Sequence, residues 1–160
     1  MTVEEHKNSD EAEIKRVLED WVEALRARDI DGVSSIYAPD LVAFDLVPPL
    51  KYVGAETYRK HWLEGWSLLQ GAMGYEVADL DIMVSDDVAF TRSFNWSSVT
   101  LTTGQKTEFW LRWTTGWRKI GGRWLMVHMH ASLPFDVATG RAVLDLKPYP
   151  FAFDEQGRRN

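Results

Sequence analysis

Residues 75–132 constrain the fold more than any other part of the chain. Four segments, 75–84, 88–101, 105–119 and 123–132, are rich in Val, Thr, Phe and Trp and are separated only by the turns SDD, TTGQ and IGG. β-Branched and aromatic residues suit a pleated, half-buried surface, and connections this short join antiparallel neighbours. The segments therefore form a meander of long strands. The first half has a different period. Ile14, Val17, Leu18, Trp21, Val22 and Leu25 recur at helical spacing, with Asn8 or Ser9 as the cap. Asp31 can cap a short second helix carrying Val33, Ile36 and Tyr37. A strand, LVAFDLV, then runs into Pro48 and Pro49, and beyond it Tyr58, Trp62, Trp66 and Leu69 make one aromatic stripe on a third helix.

Helices first and strands afterwards predict an α+β domain over residues 1–135, its curved antiparallel sheet wrapped around three N-terminal helices with a central pocket. Residues 136–160, with Pro148, Pro150 and a polar end, are expected to form an extended tail on or near the same domain. A formal charge of −6 with dispersed Lys and Arg argues against a nucleic-acid partner. The absence of cysteine removes thiol nucleophiles and thiolate metal sites, and no apolar run is long enough to cross a membrane as a helix. A cytoplasmic protein is the expectation. Eight tryptophans are more large rings than a core of this size needs, so some are expected to line a pocket or cover a subunit contact.

His128 and His130 stand two apart in the last strand. Strand alternation places Val127, Met129 and Ala131 on one side and Trp124, Met126, His128 and His130 on the other. Packing at an outer, dimer-forming face is favoured for the histidines over catalysis. No metal site is expected, since His6 and His61 belong to distant elements. A bulge would flip this assignment. Asp45 follows an apolar run, where burial would raise its pKa and suit it to proton transfer. Its bland alternative is a strand-end carboxylate paired with Arg92 or with a backbone N–H. Arg92 shares a strand side with Phe90 and Phe94, and pocket lining is the favoured reading.

The segment YAPDLVAFD at 37–45 resembles ketosteroid isomerases, and GWRKIGGRWLMVHMHASLP at 116–134 resembles the association domain of calcium/calmodulin-dependent protein kinase II. Both belong to the nuclear transport factor 2-like superfamily, also called SnoaL-like, so the resemblance implies a cystatin-like cone, a pocket between sheet and helices, and oligomers built on the sheet's outer face. It also implies that Asp45 is the general base, that Arg92 and Trp66 face the pocket, and that residues 127, 129 and 131 do too. Trp21 and Thr115 stand where the isomerase has its oxyanion donors.

Two kinds of function follow. In one, Asp45 removes a proton beside a carbonyl, without a cofactor, while Tyr58, Arg92 or an indole N–H stabilises the enolate, giving isomerase, cyclase or dehydratase chemistry. Trp21, Trp62, Trp66, Trp113, Thr115 and Met129 would then bind a small apolar or aromatic ligand. In the other, the same cavity belongs to a non-catalytic binding or assembly module. A homodimer is expected in either case.

Overall fold

The computed structural model describes residues 2–148. Three helices, α1 (Val3–Ala27), α2 (Ile30–Ser34) and α3 (Ala55–Ser67), pack into a curved, unclosed sheet. Its strands are β1 (Tyr37–Phe44), β2 (Tyr52–Val53), β3 (Leu69–Ser85), β4 (Val88–Leu101), β5 (Lys106–Ile120) and β6 (Arg123–Ser132). The order across the sheet is β2-β1-β6-β5-β4-β3, so the expected meander is continuous and β1 adds to it parallel to β6. A separate hairpin, β7 (Phe135–Asp136) with β8 (Arg141–Ala142), opens the segment expected to be an extended tail. The remainder of that expectation, residues 149–160, lies outside the described residues.

The ends of the elements differ from the sequence expectation where a better capping group exists nearby. Helix α1 starts at Thr2, whose hydroxyl accepts from Glu5 N–H while the Glu5 carboxylate accepts from Thr2 N–H. This reciprocal box satisfies two end donors, so neither Asn8 nor Ser9 caps the helix. Asp29, rather than Asp31, caps α2 through Asp31 and Gly32 N–H. Tyr37 opens β1 instead of closing a helix, and β3 begins at Leu69, six residues before the expected start.

Bulges supply the curvature. In β3 two residues, Asp79 and Leu80, stand opposite Ser93 alone, and Asp79 adopts a left-handed backbone conformation at φ 51°. In β6 Gly116 pairs with His128 but Trp117 pairs with Met126, leaving Val127 without a partner. This second bulge overturns half of the alternation argument. His128 and His130 do lie on the outer face, but Trp124 and Met126 turn inward and are 2% and 0% exposed. Val127 is the residue that absorbs the slip.

The core is aromatic. Trp21 of α1 stacks on Trp113 of β5 with centroids 5.0 Å apart and planes 14° from parallel, and meets Tyr75 edge-on at 5.5 Å. At the other end of α1, Asp10 accepts from Lys119 Nζ at 2.6 Å and Trp124 Nε1 at 3.0 Å, tying the first helix to the β5–β6 turn. Burial pushes the Asp10 carboxyl up, but the Lys119 and Trp124 bonds outweigh it and hold the group below the ordinary carboxylate range. No helix among the described residues is long and apolar enough to cross a membrane.

Candidate functional site

Between α1, α3 and the concave face of the sheet lies a cavity of about 250 Å³. Its wall is mostly apolar and includes Trp21, Trp62, Trp66, Trp113 and Met129, five of the residues expected to bind ligand. Asp45, Tyr58 and His61 form its polar corner. The volume lies just below the range of about 300–1,000 Å³ usual for drug-sized ligands, so a one- or two-ring molecule fits better than a steroid.

Asp45 lies one residue beyond β1, where the strand has ended and its side chain can turn toward α3. Tyr58 and His61, three apart on one face of that helix, both reach it. Tyr58 donates its hydroxyl to Asp45 Oδ2 at 2.7 Å, His61 Nε2 stands 3.2 Å from the same oxygen, and Leu46 N–H donates to Oδ1 at 2.6 Å. Burial favours the neutral acid, but the bonds from His61, Tyr58 and Leu46 outweigh it, and the Asp45 pKa is lowered rather than raised. This corrects the sequence expectation. The carboxylate is a permanently ionised group at neutral pH, and burial together with the adjacent Asp45 charge pushes the Tyr58 phenol far up, so it remains a donor.

The far side of His61 completes the arrangement. Tyr52 donates its hydroxyl to Pro48 carbonyl at 2.7 Å, and its oxygen lies 3.0 Å from His61 Nδ1. A hydroxyl has a single proton. While Tyr52 gives it to Pro48, Nδ1 must carry its own proton, and His61 with protons on both nitrogens is an imidazolium facing a carboxylate. If Tyr52 turns its proton to Nδ1, His61 is neutral and still donates from Nε2 to Asp45. Rotation of this hydroxyl therefore accommodates two proton states of the pair.

Two expected site residues are elsewhere. Arg92 lies on the outer face, where Nε and Nη2 both contact Asp81 Oδ2 at 2.9 Å. The inward residues of β4 are Thr91, Ser93, Asn95 and Ser97, because the polar side chains of this strand satisfy one another inside while Phe90 and Phe94 face out. Thr115 is fully buried but stands beneath the cavity, bonded to Thr91 and Trp117 Nε1 rather than free for a ligand. The two histidines of the last strand pack against Phe44, at 4.9 and 5.6 Å, and His128 Nδ1 donates to Val42 carbonyl at 2.8 Å. Sequence reasoning missed His61 and Tyr52. The spacing of His61 from Tyr58 on α3 was a usable signal; β2, which brings in Tyr52, is too short to have one.

Removing the phenol of Tyr58 takes one donor from Asp45 and should raise its titration point. The sign follows from the depressed native value: the Asp45 contribution to stability is present above the unfolded-state pKa and is lost as pH falls through the folded one. Acid unfolding of Tyr58→Phe should therefore begin at higher pH than in the parent, and carboxyl NMR titration should show Asp45 moved upward. An unchanged Asp45 titration would contradict the assigned hydrogen bond.

Residues 14–136 match the model of the SnoaL-like domain. The fold is similar to that of an NTF2-like protein of unknown function from Pseudomonas putida KT2440, at 35% identity over 88% of this chain and 98% of that one, with a TM-score of 0.81. A protein from Novosphingobium aromaticivorans DSM 12444 proposed to be a scytalone dehydratase aligns at 16% identity, 90% and 95% coverage and a TM-score of 0.71. The association domain of C. elegans CaMKII aligns at 16% identity, 79% and 98% coverage and a TM-score of 0.62. No curated protein matches the sequence. With its cone of sheet and helices and the family match across most of its length, the chain belongs to the SnoaL-like family of the NTF2-like superfamily.

Proposed function

We propose that the cavity carries out cofactor-free proton transfer on a small neutral carbonyl compound, leading to isomerisation or loss of water. The observation that carries this reading is the Asp45–His61 pair at 3.2 Å, an ionised carboxylate and a proton donor together in the corner of an aromatic cavity. Arg92 is engaged with Asp81, so the reading of Asp45 as the partner of that arginine loses its support, whereas the backbone partner expected as its alternative is present in Leu46 N–H. The fold likeness to a protein proposed to be a dehydratase is consistent with the chemistry.

In the dehydration, Asp45 takes a proton from the carbon beside the carbonyl, and the C–H electron pair forms the enolate. As the enolate collapses, the bond to the neighbouring hydroxyl breaks, and the departing oxygen takes the Nε2 proton of the imidazolium and leaves as water. Asp45, now protonated, returns its proton across the hydrogen bond to His61, and the pair is restored. For isomerisation Asp45 delivers the same proton to a different carbon and His61 only holds the carboxylate in place.

The direct test is exchange of carbon-bound hydrogen in D₂O, followed by NMR on a panel of one- and two-ring ketones. The protein should catalyse exchange beside the carbonyl, and Asp45→Asn should lower the rate by about 10² or more while the fold survives, since the isostere keeps the Tyr58 contact. Equal rates in the two proteins would remove Asp45 from the chemistry.

Self-association on the outer sheet face is a second proposal with its own observation. Phe44 and Phe90 are 36% and 39% exposed and stand in adjacent rows with His128 and His130, whereas Trp124 and Met126 no longer contribute. Sedimentation equilibrium at micromolar concentration should show a homodimer that Phe44→Lys dissociates; a monomeric parent protein would contradict it.

A further inference from the structure

The proton-transfer reading leaves one group unassigned, the donor that stabilises the enolate oxygen. Several candidates taken from the sequence are committed elsewhere, although the buried Trp66 indole N–H has no partner among the described residues. Tyr58 gives its proton to Asp45, Arg92 is on the other face, and the indoles of Trp21 and Trp62 donate to Tyr37 at 3.3 and 3.1 Å. Two phenols in the cavity wall are in the opposite condition. The Tyr37 oxygen accepts both indole N–H groups, and the Tyr75 oxygen accepts Asn95 Nδ2 at 2.8 Å. Neither hydroxyl has an acceptor for its own proton among the described residues, although each side chain is only 6% exposed. Buried polar hydrogens are rarely left unpaired, so two in one apolar cavity call for acceptors that arrive with a ligand.

We propose that the Tyr37 and Tyr75 hydroxyls are the oxygen-binding donors of the cavity, and that its ligand is a neutral one- or two-ring compound presenting two acceptor oxygens, one of them the reacting carbonyl. The inference rests on the proton-transfer reading for the role of the carbonyl but not for the binding. Donation into a phenol oxygen polarises its O–H, so Tyr37, with two indoles behind it, is the stronger donor and takes the oxygen on which charge develops. Burial, the largest influence on both phenols, pushes their titration far above neutral, so both protons are present at any working pH. The ligand is not an anion, because no Lys or Arg among the described residues lines the cavity and Asp45 already supplies a negative charge there. Trp66, whose buried indole N–H lacks a partner among the described residues, adds to the excess of donors over acceptors in the wall.

The test uses three near-isosteric probes, tetralin, 1-tetralone and 4-chromanone, which carry no, one and two acceptor oxygens. Binding to the full chain is followed by quenching of its tryptophan fluorescence. The dissociation constant should fall about fivefold or more with the first oxygen and again with the second, as expected for a hydrogen bond worth about 1 kcal/mol. Tyr75→Phe should erase one of these steps and Tyr37→Phe the other. Because Tyr37→Phe also leaves two indoles without an acceptor and will lower the melting temperature, the readout is the ratio between probes within each protein, and the parent series stands without any variant. Equal affinities for the three probes, no binding at millimolar concentration, or unchanged ratios in both variants would overturn the proposal. Hydrogen exchange on 1-tetralone separates it from the reading beneath it. Stepped affinities without exchange uphold the oxygen site and refute the chemistry, whereas exchange with flat affinities refutes the oxygen site alone.

Discussion

One phenolic oxygen joins the three parts of the molecule that enclose the cavity. Tyr37 lies at the first position of β1, and its hydroxyl accepts from Trp21 on α1 and from Trp62 on α3. An unpaired buried N–H costs about 1–3 kcal/mol, so the two helices and the sheet settle where the phenol can receive both indoles. Trp21 is also stacked on Trp113, which carries the same constraint across to β5. The cavity is the space these rings leave when their polar atoms take priority over filling every void. Its size and its aromatic wall are thus consequences of the hydrogen bonds that hold it open.

The same economy of donors explains how a carboxylate can stand at the edge of such a wall. Asp45 is taken out of water, but three donors from α3 and the backbone replace its hydration, and the net effect favours the charged form. As the base of the proposed reaction, such a carboxylate is always ready and intrinsically weak. Its strength toward a carbon-bound proton must come from the ligand, which excludes the remaining water, and from whatever stabilises the product enolate. In the proposed reaction the Tyr37 and Tyr75 hydroxyls supply that second element, and His61 supplies the proton that a departing hydroxyl needs.

The helical half of this design was legible in the sequence because helical period is a local property. Trp62 and Trp66 follow Tyr58 at intervals of four, and that stripe does form one cavity wall. Asp45 was legible through the YAPDLVAFD resemblance. The strands were less transparent at two places, for different reasons. In β6 the alternation is correct on each side of Val127 and wrong across it, and nothing in WLMVHMH distinguishes a bulged valine from a paired one. In β4 the usual sense of the pattern is reversed: Thr91, Ser93 and Asn95 face inward, Thr91 bonded to Thr115, Ser93 to Asn95 and Asn95 to Tyr75, and that outcome depends on Thr115 and Tyr75, 24 and 20 residues from their partners. Arg92 followed its strand to the outer face for the same reason. His61 required knowing that α3 and the end of β1 come together, a tertiary fact that spacing on the helix could suggest but not fix.

A crystal structure of the protein with 1-tetralone tests the central claim most directly, because it fixes the ligand against both sets of groups at once. The account predicts the ketone in the aromatic cavity, its oxygen about 2.7–3.0 Å from the Tyr37 hydroxyl and its enolisable carbon about 3–3.5 Å from an Asp45 carboxylate oxygen. A ketone oxygen turned toward the Asp45–His61 corner, or a ligand seated outside the cavity, would contradict it.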